Sequence, residues 1–524
     1  MNINQFIIKQ LTKRKIKDRN GLDKVKREMA KKFHISCFSN IQILQEYHKL
    51  LKNKSIKRNK KLEEILIKRP VRSLSGVAVI SLLTKPYPCP GKCIFCPTEK
   101  GLPKSYLKGE PAAERALRLN FNPYLQVQKR IESLKKQGHP TDKIEIRVIG
   151  ATFSYYPENY RIWFFANIFA AANEKKELKK ATIKNLEKEK TINETAKNRI
   201  VGISIETRPD FINIEEILLM RKLGITMVEL GVQTILEDIL KKSQRDHGIK
   251  EVNLSTKLLK DAGFKIMYQM MPNLPGSNLK KDLLVFKEIF KNENYKPDWL
   301  KIYPCLVCKD SKLYKIWKKG NYKPYSDKEL IELLIKIKNV LPCWTRVARL
   351  FRDIPAPRIE AGSKVSNLRE VVQKEMEKRK LQCKCIRCRE VKEDFNPKEK
   401  IYLFMENYQA SNGKEIFLSF ENKKRTKLFA FLRLRISKNN FISVLKNSAI
   451  IRELHTYGQQ IPLKEKSLAI QHKGFGKKLL KKAEEITKKE FKLPKIAVIS
   501  GVGVREYYRK LEYELKDEYM IKIL

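Results

Sequence analysis

The sequence predicts an α/β protein: β/α units around a parallel sheet of the barrel type, a smaller mixed α/β domain after it, and a basic helical arm before it. Three observations carry this. From Ser75 to about residue 380, short β-rich apolar runs alternate with amphipathic stretches, and each run ends in Gly, Pro or a polar residue. Beyond "NPKEK" (Asn396–Lys400) the composition shifts to closely spaced strand-like runs around one helix. Before Arg72, lysines crowd around scattered apolar residues.

The arm, residues 1–72, reads as basic helices such as "NIQILQEYHKLL" (Asn40–Leu51). Its end, "LKNKSIKRNKKLEEILIKRPVR" (Leu51–Arg72), holds nine Lys or Arg against two Glu. The whole chain of 524 residues carries 111 Lys plus Arg and 58 Asp plus Glu, a formal charge of +53. Such an excess points to a polyanion, and nucleic acid fits best, because neutralised phosphates release counterions. A lysine-rich compositional bias is the alternative, and the concentration of charge before Arg72 argues against it. No apolar window is long enough to span a bilayer, and mean hydropathy is -0.47, so no membrane role is expected. The opening "MNINQFIIKQLTKRKIK" has no signal-type apolar run. Ten cysteines without secretory features then imply a reducing, cytoplasmic setting, where thiols bind metal or lie buried.

The barrel-type runs are "SGVAVISLLTKP", "KIEIRVIGATF", "RIVGISIETRP", "MVELGVQT", "FKIMYQMMPNLPG" and "WLKIYPCLV". Strand ends in such folds gather functional groups in the following loops. Between Glu174 and Arg199 the almost wholly polar "EKKELKKATIKNLEKEKTINETAKNR" reads as a solvated helical insertion without chemistry.

The first run leads into "YPCPGKCIFCPTEKG", with Cys89, Cys93 and Cys96 in C-x3-C-x2-C spacing. One short loop can wrap three corners of a cubane, with Gly91 expected to supply backbone freedom. Structural zinc takes four protein ligands, whereas a [4Fe-4S] cluster on three cysteines leaves one iron open. Gly150 and Thr152 in "VIGATF", and Glu206 and Arg208 in "SIETRPD", stand at later strand ends. Glu206 and Arg208 could hold a ribose or a carboxylate, or pair with each other at the rim.

In the last stretch, "EIFLSF", "LFAFLRLRI", "AIIRELHTYG" and "KIAVISGVGV" read as strands, with "GKKLLKKAEEITKKEF" as the helix. Gln471, Gly474 and Gly476 form Q-x-x-G-x-G before that helix, whose Leu479, Leu480, Ala483 and Ile486 share one apolar face. Glycines and a helix N-terminus together suit a pyrophosphate. Cys383, Cys385 and Cys388 make a second triad, C-x-C-x2-C, read as a structural metal site of zinc type; Cys305, Cys308 or His247 could fold in as a fourth ligand.

The cysteine loop resembles that of the radical S-adenosylmethionine superfamily. The resemblance places Gly150 and Thr152 beside the cofactor's amino group, with Ala151 in place of a second glycine. The C-terminal motifs, with "VREYYRKLEY", resemble the Gcn5-related acetyltransferase (GNAT) fold, in which a tyrosine of the last helix approaches the acetyl-CoA sulfur; Tyr508 is chosen over Tyr507. The combination is similar to one family, the catalytic subunit of Elongator, a tRNA wobble-uridine (U34) carboxymethyl synthase. It is carried from about Pro70 onward by "PVRSLSGVAV", "PCPGKCIFCP", "ETRPD", "ELGVQT", "PDWLKIYP", "RDIPA", "CKCIRCREV", "QHKGFGKKLL" and "ISGVGVREYYRKLEYEL". Gln269 and Asn273 depart from the family's "HMMPGLPG", and Glu512 from its "YYRKLGY".

That resemblance implies a partial (β/α)6 radical SAM barrel over 73–380, a cysteine-rich zinc-binding segment at 381–399, a GNAT domain at 400–524 and a tRNA-binding region at 1–72. It implies acetyl-CoA contacts at Lys143, Glu453, Leu454, His455, Thr456, Phe475, Gly476, Lys477 and Tyr508, with Lys143 and Tyr508 as the catalytic pair. S-adenosylmethionine cleavage at the cluster would yield a radical that activates the acetyl methyl group for attack on carbon 5 of the wobble uracil. An electron donor is required, and a homodimer is among the open assemblies. The competing reading is a protein lysine acetyltransferase with a structural iron–sulfur domain, in which Glu453 would serve as base.

Overall fold

The computed structural model describes residues 3–14, 16, 18–67, 76–391, 399–458 and 474–524. The predicted break at 396–398, the arm's end at 68–72 and Gln471 lie outside the described residues.

The six predicted runs all form strands: β1 (Ala78–Leu83), β2 (Lys143–Ile149), β3 (Arg199–Thr207), β4 (Met227–Gln233), β5 (Lys265–Met270) and β6 (Trp299–Ile302). A short seventh, β7 (Arg346–Arg349), pairs with β6. "RVAR" carries no apolar run, so sequence reading passed over it. All seven are parallel and follow chain order across the sheet. Ser81, Arg147, Glu206, Gly231, Gln269, Lys301 and Arg349, one from each strand or its end, line a single cavity. Only a curled sheet, an open half-barrel, can converge them. Helices cover its outer face; the Glu158–Ala172 helix buries Phe164, Phe165, Ile168 and Phe169 completely.

A second, mixed sheet contains β8 (Ile401–Ala410), β9 (Gly413–Asn422), β10 (Leu428–Ser437), β11 (Ser448–Thr456), β12 (Lys495–Val498), β13 (Glu514–Lys516) and β14 (Tyr519–Ile523), in the order β8-β9-β10-β11-β12-β14-β13. Only β11 and β12 run parallel. The four predicted strands are there; β8, β13 and β14 are additional.

This sheet packs across the N-terminal ends of the barrel strands. Ile450, Ala497, Ile499, Val502 and Tyr519 belong to the same apolar core as the barrel. Gly501 lies so close to β3 that a Cβ would fall 2.1 Å from the Val201 carbonyl oxygen, and only glycine fits. Around this core runs a buried ion lattice. Arg452 pairs with Asp298 at 2.6 Å and Glu415 at 2.8 Å, Arg435 with Asp261 at 2.6 Å, and Arg433 with Glu453 at 2.9 Å. Asp298 stands immediately before β6 and Asp261 ends the helix that leads into β5, so the lattice joins the two sheets.

The N-terminal segment forms four helices, Ile3–Lys13, Arg19–Lys32, Asn40–Lys52 and Lys60–Leu66. They enclose an apolar core of their own, including Ile7, Leu22, Ile43 and Tyr47. Ser39 and Gln42 close a capping box at the start of the third. The basic region is thus a packed helical unit, and most of its described lysines are exposed.

The polar stretch 174–199 departs from expectation. Its Ile183–Asn193 helix buries Leu186, Glu189, Lys190 and Asn193. Lys190 pairs with Glu518 at 2.5 Å, and Glu194 pairs with Arg505 at 3.1 Å and Arg509 at 2.5 Å. Its charges were invisible as core because their partners lie over 300 positions away.

Candidate active site at the barrel mouth and its facing groove

The cysteine loop follows β1 at the C-terminal end of the barrel. Cys89, Cys93 and Cys96 are free thiols that border the cavity, which measures about 340 Å³. The loop is anchored by Ile94 N–H bonding the Ser243 carbonyl at 3.1 Å and by Lys104 donating to the Gly91 carbonyl. Gly91 has no left-handed φ, contrary to the expected backbone role. What its position needs is the missing Cβ, which would lie 2.3 Å from Arg208 Nη1. Cys93 is pushed down to about 5 by its hydrogen bond with Cys96 and, against burial, by the neighbouring guanidiniums of Arg245 and Arg208. Arg245 Nη1 lies 3.2 Å from Cys93 Sγ. A thiolate-bearing loop at a cationic cavity wall fits an iron–sulfur cluster, whose ligands are thiolates.

Gly150 follows β2 at φ +139°, and a Cβ there would fall 1.9 Å from Thr84 Oγ1. Ala151 sits at φ +67°, so the alanine that stands at the glycine position takes the strained left-handed backbone. Thr152 Oγ1 lies 3.8 Å from Cys89 Sγ.

Glu206 and Arg208 do not pair with each other. Arg208 binds Asp210 at 2.7 Å and Asp246 at 3.2 Å. Glu206 accepts from Tyr106 Oη at 2.6 Å, Gln269 Nε2 at 3.0 Å and Lys301 Nζ at 3.3 Å. Burial works against its charged form, yet Lys301 and Tyr106 outweigh this and hold it below the usual carboxylate range. Gln269, which stands at a departure from the family pattern, also donates to Glu229 at 3.3 Å, so it ties two strand carboxylates together. Tyr106, Arg245, Lys301 and Arg352 line the cavity and were missed by sequence reading. Each comes from a different loop or strand, and no local spacing marks them.

At the other end of the barrel, Lys143 opens β2; burial lowers its pKa. Glu145, two residues on, feels Arg147, Lys265 and His455, and Lys265 Nζ lies 3.9 Å from Glu453 Oε1. The barrel floor thus faces β11, the strand bearing Glu453, Leu454, His455 and Thr456. β11 pairs with β12 only as far as Ile451 and Val498, then continues along β10 alone. The two parallel strands therefore part, leaving a gap. Gly474, at φ +74°, caps the Phe475–Lys489 helix beside this gap. A Cβ on Gly476 would lie 3.1 Å from Tyr507 Oη and 3.9 Å from Thr456 Oγ1. Leu479, Leu480, Ala483 and Ile486 are buried as the apolar face predicts, Phe475 is buried with them, and Lys477 is exposed. Tyr508 lies in the core of the second sheet, edge-on to Tyr507 and Tyr513, and burial raises its pKa. Tyr507, 37% exposed, is the tyrosine facing Gly476.

Cys383, Cys385 and Cys388 bring three sulfurs within 4.8 Å of one another, with Lys338 Nζ 3.3 Å from Cys388 Sγ. This spacing suits a thiolate metal site. The expected fourth ligands are elsewhere: Cys305 packs with Cys93 in the core behind the cluster loop, Cys308 lines the mouth cavity, and His247 lies beside Asp210.

A parallel half-barrel with three thiols at its mouth defines a radical S-adenosylmethionine enzyme. Residues 87–286 match the Radical SAM superfamily and 297–378 the Radical SAM C-terminal domain, and the chain is 46% identical, over 99% of its length and 96% of the relative's, to a Methanocaldococcus jannaschii protein named tRNA uridine(34) acetyltransferase. It belongs to the family of the tRNA uridine(34) acetyltransferases and Elongator complex protein 3. The human Elongator complex protein 3 is 38% identical over 99% of this chain and 96% of its own. Among solved structures, archaeal Methanocaldococcus infernus Elp3 lacking residues 1–46 is 44% identical, with a TM-score of 0.76 over 86% of this chain and 100% of that one. Among the described residues no helix is long and apolar enough to cross a membrane.

Proposed function

We propose that this enzyme converts the wobble uridine of tRNA to 5-carboxymethyluridine, using acetyl-CoA and S-adenosylmethionine. The observation that carries the reading is the joining of a radical SAM barrel to a second sheet whose parallel strands part, the two facing each other through Lys265 and Glu453. Cys89, Cys93 and Cys96 would hold the [4Fe-4S] cluster, which with S-adenosylmethionine supplies a carbon radical. Glu206, fixed by three donors, would accept ribose hydroxyls, and Gly150 and Thr152 would lie beside the amino group of S-adenosylmethionine.

The second sheet is read as a GNAT domain, 400–524, following a barrel domain over 73–380 and a cysteine-rich segment at 381–399 that would bind zinc through Cys383, Cys385 and Cys388. Acetyl-CoA would lie in the gap between β11 and β12, with Gln471, Gly474, Phe475, Gly476 and Lys477 around the pyrophosphate. Glu453, Leu454, His455, Thr456 and Lys143 would run along the arm. Tyr508 stays protonated throughout the physiological range, so it suits donation of a proton to a leaving thiolate. The helical region 1–72 would hold tRNA by its phosphates. The reading also requires an electron donor, and the setting is cytoplasmic; a homodimer is one assembly it allows.

The test incubates anaerobically reconstituted protein with tRNA, S-adenosylmethionine, acetyl-CoA and reductant, followed by nucleoside analysis. Carboxymethyluridine and 5'-deoxyadenosine should both form, and Cys93→Ala should abolish both. Acetyl-lysine on a protein, without any modified uridine, would favour the lysine acetyltransferase reading, in which Glu453 acts as base. Its bond to Arg433 and its proximity to Lys265 already occupy that carboxylate, which weighs against such a role.

A further inference from the structure

Beside the cysteine loop runs a strip of aromatic rings that the reaction as read above leaves unused. Tyr155 closes the short turn Phe153–Tyr155 after β2 and is 41% exposed. Its ring stands edge-on to Phe211, with centroids 5.7 Å apart, and 5.8 Å from the ring of Tyr87. Phe211 ends the turn Pro209–Phe211 after β3, and Tyr87 precedes Cys89 by two positions. Three strand ends thus contribute one ring each. Beneath them, Tyr87 stacks on Tyr156 at 4.9 Å and Tyr156 on Tyr160 at 5.1 Å.

The strip is rigid. Tyr155 N–H bonds the Thr152 carbonyl at 3.1 Å, and Thr207 Oγ1 donates to Ser154 Oγ at 2.9 Å, which ties the turn to the end of β3. It is also continuous with the cavity. Arg208, whose guanidinium lies 5.8 Å from the centre of the Phe211 ring, lines the cavity together with Thr152. Lys85 places its ammonium 4.8 Å from the Tyr160 ring. Arg208 is held by Asp210 and Asp246, so Lys85 is the exposed cation of the strip. A fixed, half-exposed row of rings at the mouth of a reaction cavity is the surface that unpaired nucleotides use, because every base has a stacking face.

The geometry points to a stacking shelf for the unpaired base next to the one that enters the cavity. This rests on the reading of the substrate as a tRNA loop. A base taken out of its stack leaves its neighbour with one bare face, and a ring of the protein can replace the lost contact. The shelf would bind by ring contact and tolerate any base identity.

The test uses the full chain and an anticodon stem-loop RNA carrying 2-aminopurine on one side or the other of the wobble position. Binding to the wild type should quench fluorescence at one of the two positions. Tyr155→Ala should lose that quench and weaken RNA binding about 5- to 150-fold, the range of one stacked base. Tyr155→Phe should keep both, because the ring and not the hydroxyl makes the contact. The salt dependence of binding should not change, since no phosphate contact is removed, and wild-type iron content in Tyr155→Ala would show an intact barrel mouth. Undiminished quench and affinity in Tyr155→Ala would overturn the shelf and leave the strip as a protein-docking patch. Equal losses in Tyr155→Phe and Tyr155→Ala would overturn it in favour of a hydroxyl hydrogen bond. An RNA that the wild type does not bind at all would sink the substrate reading itself, and the shelf with it.

Discussion

Tyr508 and Glu206 show how burial and partners decide what a side chain can do. The Tyr508 phenol is enclosed by the second sheet's core, and desolvation penalises its phenolate. It can give a proton but not serve as a standing base. Tyr508→Phe, which removes only the hydroxyl, should leave iron content and melting temperature near wild type and reduce CoA release about 100-fold or more. Comparing CoA and 5'-deoxyadenosine yields checks this; an unchanged CoA yield would shift attention to Tyr507, the ring that faces Gly476. Glu206 is the converse case, a buried carboxylate kept charged by Lys301 and Tyr106.

At the scale of elements, the Ile183–Asn193 helix links the halves of the enzyme. Glu194, just beyond it, holds Arg505 and Arg509, which bracket Tyr507 and Tyr508 on one short helix. Removing one partner of a buried pair leaves an uncompensated charge, at a cost of about 3–5 kcal/mol. Arg505 keeps Glu518 as a second partner, so the lower end applies. Glu194→Ala should therefore lower the melting temperature and CoA release together while 5'-deoxyadenosine formation persists. Calorimetry and product analysis on one preparation separate these effects; equal loss of both products would mean general unfolding.

Across the whole molecule, the lattice around Asp298 makes the two sheets one cooperative unit. Burial opposes the Asp298 carboxylate, but Arg452, Lys260 and Arg433 outweigh it and depress its pKa. A carboxylate depressed in the folded state stabilises fully above its unfolded value, about 3.9, and that contribution is lost as pH falls below it. Urea unfolding between pH 5 and 3 should show a steep loss in the wild type and a shallower one in Asp298→Asn, which should already be less stable at pH 7. Equal slopes would place the acid sensitivity elsewhere. The helical region makes a separate prediction. If its lysines bind phosphates, deleting residues 1–70 should weaken tRNA binding and flatten its salt dependence, by roughly 0.7 to 0.9 in log–log slope per lost contact, with acetyl-CoA binding kept. An unchanged slope would make that charge compositional.

The sequence by itself determined the six principal barrel strands, the apolar face of the Phe475–Lys489 helix and both cysteine triads. These are local: a strand declares itself by an apolar run, a loop of ligands by spacing, a helix by its period. The tertiary structure alone decided what is brought together from a distance. It set Tyr106, Gln269 and Lys301 around Glu206, turned a polar insertion into part of the join between the sheets, and laid Tyr87, Tyr155 and Phe211 side by side. It also replaced the expected Glu206–Arg208 choice with separate partners for each. The reason is physical. Charge pairing and ring contact act over a few ångströms in space, whereas some of the residues concerned stand 311 positions apart in the chain, so no window of sequence contains both sides of the interaction.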